Sequence, residues 1–360
     1  MNKIFELPTG YGKSALALKE ADNLNPGQWT LIVVPKLVLI DNWKKEIKKW
    51  GYDERNFDFV TYNSIDDKIA TYYKNCICDE AHHITDRVKR ILNCMKPQVQ
   101  NWFFLSATMK QDLRYYLQMS FDAKLIKKNM ADAIDEGKIP EPTVYLIPLE
   151  LDNVKKNISV TKHIGKNNFI KKFTQREYID DMEGLISWYK NKVIATNNDK
   201  LKVRWLSQCL KRNKELSRFK ENFTRRILEK LKSKRVLTFC CDIGQTECLG
   251  KNFINSKNKN SLNILNDFND GKINHITSCN ILAEGVNIFN CEYGIFNFIN
   301  SSEVLVIQKL GRILRHKQPK IIIPYFKFTR EEELVAKMLE GINPDRIKKV
   351  ELGMVDYVFK

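Results

Sequence analysis

The chain has no long hydrophobic run. Stretches such as Leu31–Val34 and Ile321–Ile323 are strand-sized, far short of the roughly 20 apolar residues that a membrane helix needs. A membrane partner is therefore not expected. Metal-type cysteine spacing is missing too. The 9 cysteines are scattered and odd in number. Cys76-x-Cys78 and Cys240-Cys241 fall in apolar strand patterns, so they read as small buried hydrophobes rather than ligands or disulfide partners. Acidic residues are in deficit: 43 Asp and Glu face 60 Lys and Arg, for a formal net charge of +17 and a pI of about 9.3. Such an excess suits a polyanionic partner, most simply nucleic acid. General solubility is the alternative, and the Asn, Lys and Ile bias of stretches such as NSKNKNSLN is what AT-rich coding would give.

Glycine is also sparse, at 15 residues, which makes the pair in Leu7-Pro8-Thr9-Gly10-Tyr11-Gly12-Lys13-Ser14 conspicuous. An apolar pair, Ile4-Phe5, precedes this stretch and a good helix former, Ser14–Lys19, follows it. That is the strand–loop–helix context of a phosphate-binding loop. Gly10 and Gly12 allow a tight turn that points backbone N–H groups toward phosphate oxygens, and the new helix adds its positive end. Lys13 suits the β and γ phosphates, and the Ser14 hydroxyl suits Mg²⁺. The strict pattern has glycine where this chain has Leu7. The loop begins so early that no signal peptide fits ahead of it. The expected compartment is reducing and cytoplasmic, the host cytoplasm if the chain is viral.

Residues 1–138 alternate strand and helix patterns: Trp29–Pro35, Phe57–Tyr62, Asn75–Cys78 and Trp102–Leu105 as strands, Leu37–Trp50 as a helix. The alternation predicts a parallel sheet covered on both faces. Strand ends at one edge of such a sheet form the ligand-binding rim. Lys36 follows a strand there and suits a phosphate. Trp43 and Trp50, at helical spacing, are expected to pack in the core. Ile77-Cys78-Asp79-Glu80-Ala81-His82-His83 ends an apolar strand in two adjacent carboxylates. One can hold Mg²⁺ through water while the other orients and deprotonates an attacking water. Phe103-Phe104-Leu105-Ser106-Ala107-Thr108 ends another strand in two hydroxyls.

The ordered set PTGYGKS, DEAHH and SAT resembles motifs I, II and III of the superfamily 2 helicases and translocases. Ile281–Ile288 resembles motif V, and Gln308-Lys309-Leu310-Gly311-Arg312-Ile313-Leu314-Arg315 resembles motif VI. PKLVLIDNWKKEIKKW is similar to motif Ia of the Swi/Snf translocases. Val60–Ser64 looks like the strand-end nucleic-acid contact of restriction-enzyme motor subunits. The set is most similar to phage UvsW-type helicases and those motor subunits.

The resemblance implies an α/β fold of two RecA-like domains with ATP between them, and a DNA helicase or translocase. It implies that Thr9, Gly10, Gly12, Lys13, Ser14 and Gly285 bind the nucleotide. Ser14 and Asp79 would hold Mg²⁺, Glu80 would position water, and Arg312 and Arg315 would act as arginine fingers with Gln308 as sensor. His82, Ser106 and Thr108 would couple the ATP site to nucleic acid, contacted by Lys36 and Thr61. An RNA helicase and an ATP-switched adaptor with little turnover stay open. So does a protein partner that supplies substrate specificity, because no recognition domain is expected ahead of motif I. Asn287 stands where motif V often has Asp.

Ile139-Pro140-Glu141-Pro142 reads as a linker, giving domains 1–138 and 139–360 with a first strand at Val144–Leu149. Residues from about 165 to 232 break the alternation. Their helical periodicity, bases and aromatics (Trp188, Tyr189, Trp205, Phe219, Phe223) predict a basic helical insertion. Its rings are expected to pack the helices and its charges to meet nucleic acid. Beyond it, Arg235–Cys240 and Ile321–Tyr325 read as strands and Glu331–Leu339 as a helix.

Overall fold

The computed structural model describes residues 2–359 apart from 165–166, 280–287, 289, 300–315 and 341. It divides into two compact units, and the chain first passes from one to the other between Glu141 and Pro142.

In the first unit the strands are β1 (Lys3–Glu6), β2 (Thr30–Val34), β3 (Phe57–Thr61), β4 (Tyr73–Cys78), β5 (Val99–Ser106) and β6 (Lys124–Lys127). They form one sheet in the order β3-β2-β4-β5-β1-β6, with every pairing parallel. The helices are α1 (Lys13–Leu24), α2 (Val38–Lys49), α3 (Asp86–Met95), α4 (Gln111–Phe121) and α5 (Met130–Asp135).

Alternation along the strands assigns residues to the two faces. Leu31, Val33, Cys76, Cys78 and Phe104 pack with Val88 and Leu92 of α3 and Leu117 and Phe121 of α4. Ile32, Val34, Ile77, Phe103 and Leu105 pack with Ala17, Leu18 and Ala21 of α1 and Leu39, Trp43 and Ile47 of α2. With both faces covered, β2 is buried at every position, as its TLIVV composition allows. Helix α2 buries Leu39, Trp43 and Ile47 at a spacing of four and turns its lysines outward. Trp50 does not join the core. It lies at the helix terminus, 53% exposed, and its indole donates to Glu46 Oε2 at 3.1 Å.

The second unit holds β7 (Thr143–Leu149), β8 (Ile158–Ile164), β9 (Asn167–Phe173), α6 (Gln175–Thr196), α7 (Asp199–Phe219) and α8 (Glu221–Lys230). Then follow β10 (Val236–Phe239), α9 (Ile243–Leu249), β11 (Phe253–Ile254), α10 (Ser261–Asn269), β12 (His275–Ser278), β13 (Tyr293–Phe296), β14 (Lys320–Phe326), α11 (Arg330–Met338) and β15 (Ile347–Lys349). The main sheet has the order β11-β12-β10-β13-β14-β7-β15, again parallel throughout.

The expected all-helical insertion needs correcting at its start. Strands β8 and β9 pair antiparallel, so helix begins only at Gln175. There Thr174 and Glu177 close a capping box, with Thr174 Oγ1 accepting from Glu177 N and Glu177 Oε2 accepting from Thr174 N. The roots of the helices also do more than insert. Tyr178, Ile179 and Met182 of α6, Leu216 of α7 and Ile227 of α8 cover one face of the sheet with Ile147, Val236, Ile295 and Ile322.

Lys220, between α7 and α8, is fully buried. Its ammonium donates to Glu331 Oε1 at 2.7 Å and to the Pro324 carbonyl at 3.1 Å, while Glu331 Oε2 accepts from Phe326 N. A buried ammonium without its counter-charge is far costlier than the intact pair. Glu331→Gln is expected to lower unfolding stability by about 3–5 kcal/mol. The double replacement Lys220→Met with Glu331→Leu should cost much less. Denaturant unfolding of both variants measures the difference.

Candidate functional site

Because the first sheet is parallel, the carboxyl ends of all its strands lie along one edge. The loop leaving β1 starts with Leu7, whose N–H donates to the Ser106 carbonyl at the end of β5. Leu7 is itself buried in the core, which accounts for an apolar residue where the strict loop pattern has glycine. Gly10 and Gly12 both take left-handed conformations, with φ of 95° and 94°. A Cβ at Gly12 would meet nothing within 4 Å, so its requirement is conformational rather than spatial. Helix α1 then starts at Lys13 with no side-chain cap on its first N–H groups, leaving donors for an anion. The Lys13 ammonium bends back over the loop and donates to the Leu7 carbonyl at 3.0 Å and that of Pro8 at 3.3 Å. Thr9 and Ser14 lie half-buried on the same loop.

Strand β4 delivers Asp79 and Glu80 to this edge, and their surroundings differ. Asp79 is 9% exposed. Its Oδ2 accepts from Trp43 Nε1 at 2.9 Å, its Oδ1 accepts from Glu80 N at 2.9 Å, and its carbonyl accepts from Tyr62 Oη at 2.8 Å. Burial pushes its carboxyl up to about 6, and the neighbouring Glu80 charge adds to the shift. The indole hydrogen bond and the Lys13 ammonium hold it down. Glu80 takes a left-handed φ of 45°, a strained state for a residue with a Cβ. Its Oε2 is enclosed and accepts no hydrogen bond among the described residues. His82 Nδ1 lies 3.4 Å from it, an ion pair only when that imidazole is protonated.

His82 Nδ1 also lies 3.0 Å from Ser106 Oγ. The Ser106 hydroxyl donates to the Thr108 carbonyl, so its oxygen accepts from His82, and Nδ1 carries the proton. Thr108 Oγ1 is enclosed with no partner among the described residues. The structure thus joins β4 and β5 through His82 and Ser106 and places Thr108 beside them. Lys36 is exposed beyond β2, and Thr61 is half-buried at the end of β3, in register with Val34 of β2. Gly285, Gln308, Arg312 and Arg315 lie outside the described residues, with most of the Ile281–Ile288 motif.

Three contributors lie within the motif stretches but are not among the site residues assigned from them. The Trp43 ring sits in the core as its spacing predicts, but its N–H is committed to Asp79. A buried tryptophan needs an acceptor, and that is the signal by which the sequence could have shown it. Tyr62 donates its hydroxyl to the Asp79 carbonyl. Tyr11 of the loop donates to Glu136 just after α5, and Glu136 also pairs with Lys128. Bonding to Glu136 raises the Tyr11 hydroxyl above its ordinary value, and the Lys128 hydrogen bond lowers the Glu136 carboxyl.

These residues fit a nucleotide with Mg²⁺. The loop offers uncapped N–H groups and an ammonium. A hydroxyl and a carboxylate, Ser14 and Asp79, are of the hard-oxygen type that Mg²⁺ prefers. Glu80 presents an unsatisfied buried oxygen, the expected state of a group that has yet to receive its partner.

Comparison with known proteins gives the same chemistry a family context. Residues 2–72 match the family described as type III restriction enzyme, res subunit, and residues 216–317 match the helicase conserved C-terminal domain. The DNA 3'-5' translocase XPB2 of Sulfurisphaera tokodaii is 22% identical over 359 residues, covering 89% of this chain and 76% of the relative. The Pyrococcus furiosus Hef helicase domain shares the fold, with a TM-score of 0.57 at 13% identity over 93% of this chain and 94% of that one. Dbp5 of S. cerevisiae, bound to RNA and ADP BeF3, does so with a TM-score of 0.59 at 11% identity over 99% and 87%.

The raised Asp79 carboxyl has a testable sign. The folded protein holds this proton up to about pH 6, whereas the unfolded chain releases it near 3.8. The folded state therefore binds more protons in between, and stability falls as pH rises through that window. Asp79→Asn should remove this loss and raise stability by about 1–2 kcal/mol at pH 8. The gain should fade toward pH 4. Thermal melting of both proteins across pH measures it.

Proposed function

We propose that this chain, which belongs to the superfamily 2 helicases and translocases and is a nucleic-acid-stimulated ATPase of that class, uses ATP to move along or remodel DNA. The observation that carries the reading is the convergence on one sheet edge of a lysine-bearing phosphate loop, a metal-type aspartate and an unsatisfied glutamate. The likeness of a DNA translocase to 89% of the chain supports DNA over RNA.

In this reading Thr9, Gly10, Gly12 and Lys13 hold the phosphates of ATP. Lys13 leaves the Leu7 and Pro8 carbonyls for the β and γ phosphates, so the ammonium exchanges one set of oxygens for another. Ser14 and Asp79 hold Mg²⁺, which supplies charge neutralisation at the phosphoryl oxygens. Trp43 keeps the Asp79 carboxylate in one rotamer. Glu80 orients the attacking water and takes its proton at the enclosed Oε2. Gly285, Gln308, Arg312 and Arg315 complete the nucleotide site in this proposal. The two arginines, three residues apart in the sequence, stabilise charge on the transferring group, a role worth on the order of 10³–10⁵ in rate where it operates.

His82, Ser106 and Thr108 form the path by which the occupied site alters the grip on nucleic acid, with Lys36 and Thr61 touching the backbone. Movement follows from a difference in grip between two nucleotide states. The domains are taken as 1–138 and 139–360, the compartment as the cytoplasm, and a separate protein as the source of substrate specificity.

Lys13→Ala and Glu80→Gln are each expected to lower DNA-stimulated ATP hydrolysis by two or more orders of magnitude. Near-normal turnover in both would overturn the assignment. Single-stranded, duplex, forked and junction DNA should each stimulate more than matching RNA, and stimulation by RNA alone would move the substrate to RNA. Trp43→Phe keeps the packed ring but removes the donor that holds the Asp79 carboxyl down. The acid limb of its ATPase profile should therefore shift to higher pH, with the melting temperature little changed.

A further inference from the structure

Helices α6 and α7 pair as a long antiparallel hairpin, and only its root is anchored. The buried residues of α6 end at Ile186, and those of α7 begin at Arg212. Between them the hairpin projects by roughly 15 Å at 1.5 Å per residue. Such a projection cannot be explained by the packing of the sheet that carries it, because none of its residues is buried there.

The charges divide along the same line. At the root the cations are neutralised: Arg212 pairs with Glu183 at 2.8 Å, and Arg218 pairs with Glu215 and Asp242, both at 2.9 Å. Along the projection Lys190, Lys192, Lys200, Lys202, Arg204 and Lys211 are all exposed. In that stretch of sequence Asp199 is the sole acid, and it sits in the first turn of α7, facing the helix dipole. Like charges concentrated on a thin projection repel one another and lower stability, so the arrangement points to a polyanion that relieves them. A ring is available as well: Trp188 is 51% exposed, with Lys192 stacked over it at 5.9 Å. This corrects the expectation that the rings only pack the helices.

We propose that the distal half of this hairpin, residues 187–211, is an arm that grips a strand of the nucleic acid on which the protein acts. The cations contact phosphates and Trp188 stacks on a base. The inference rests on the motor reading above and adds a second contact surface to it. A phosphate repeat of about 3.4 Å per strand lets an arm of this reach meet about four phosphates. A membrane surface fits less well. The exposed Val203, Leu206 and Leu210 share one face of α7, but that stripe spans only about two turns, and on α6 Leu185 and Ile194, nine residues apart, project from opposite sides.

The arm is joined rigidly to the functional edge of its sheet. Ser217 Oγ donates to Gln245 Oε1 at 2.8 Å, and Asn297 Nδ2 donates to the Ser217 carbonyl at 3.1 Å. Thr224 Oγ1 donates to Asn297 Oδ1 at 2.6 Å. Asn297 follows the carboxyl end of β13, and all four residues are buried. Load on the arm is therefore delivered to the strand ends rather than absorbed by a loose joint.

The test uses the full chain with Lys190, Lys192, Lys200, Lys202 and Arg204 all changed to Gln, and separately Trp188→Ala. ATPase activity without nucleic acid should match the wild type in both. The melting temperature should be unchanged in Trp188→Ala and no lower in the five-site variant, which relieves the repulsion. Binding of a labelled oligothymidine is followed by anisotropy across a salt series. The five-site variant should bind at least tenfold more weakly, and its log–log salt slope should shrink by about 0.7 for each phosphate that the arm no longer neutralises. Trp188→Ala should weaken binding about tenfold with the slope unchanged. Unchanged affinity and slope in the five-site variant, with DNA stimulation intact, would overturn the arm alone. A wild-type protein without any nucleic-acid stimulation would instead sink the motor reading. Competition by polyglutamate as strong per charge as DNA would make the arm a dock for an acidic protein. Preferential binding to anionic vesicles would make it a membrane contact. Either result overturns the proposal.

Discussion

Parallel pairing of β4 between β2 and β5 is the constraint on which the candidate site depends. Val33 stands in register with Cys78, and Cys78 with Phe104. That alignment sets Asp79 and Glu80 one step beyond the sheet, level with the start of the loop after β2 and the end of β5. It also lets Asp79 N reach the Val33 carbonyl, while the β1–β5 register lets Leu7 N reach that of Ser106. A slip of one residue would send every side chain of β4 to the opposite face, turning the acids into the core. The register is held because both faces are apolar and filled, by α3 and α4 on one side and α1 and α2 on the other.

The same burial makes Asp79 expensive to ionise. Its carboxyl is stable as the anion at neutral pH only to the extent that neighbouring groups oppose desolvation, and these come from three elements: the indole N–H of Trp43 on α2, the N–H of Glu80 in the turn, and the charge of Lys13 on α1. A carboxylate kept short of donors has capacity to spare for a divalent cation, whereas one saturated by backbone N–H groups does not. The strained backbone at Glu80 follows the same logic. The Glu80 side chain lies beside His82, with one oxygen unsatisfied among the described residues. Stability is given up at two adjacent residues, and both are residues to which the chemistry is assigned.

Much of this was legible in the sequence, for a physical reason. A strand buried on both faces leaves a continuous apolar run, and where such a run stops at polar residues the edge of the sheet is marked. Val33-Val34-Pro35-Lys36, Cys78-Asp79-Glu80 and Leu105-Ser106 all carry that sign. What stayed hidden needed tertiary contact. Trp43 and Trp50 share a helix and a composition, yet one is buried on Asp79 and the other half-exposed, because α2 ends before Trp50 can reach the sheet. The β8–β9 hairpin was unreadable for another reason. NNFIKKF lacks strict alternation and is mostly polar, so its strand character comes from pairing with β8 rather than from its own pattern. The exposure of Trp188 was equally invisible, since helical spacing alone cannot tell a stripe facing a partner helix from one facing solvent.

The root of the second unit's hairpin shows why polar groups are buried where apolar ones would be cheaper. Hydrophobic residues of similar volume would match or exceed the stability of the Lys220–Glu331 pair. They would not fix direction, because apolar contacts are non-directional. Lys220 ties the joint between α7 and α8 to β14 and α11, while Ser217, Thr224 and Asn297 tie both helices to the end of β13. These bonds are directional, so any tilt of the hairpin breaks several buried ones at once. The contrast with the projection is sharp: fully paired charge at the base, unneutralised charge beyond it. A structure built only to be stable would show the reverse, since exposed ion pairs are easily made along such helices. The division is what a lever requires, a stiff attachment at one end and an unsatisfied surface at the other.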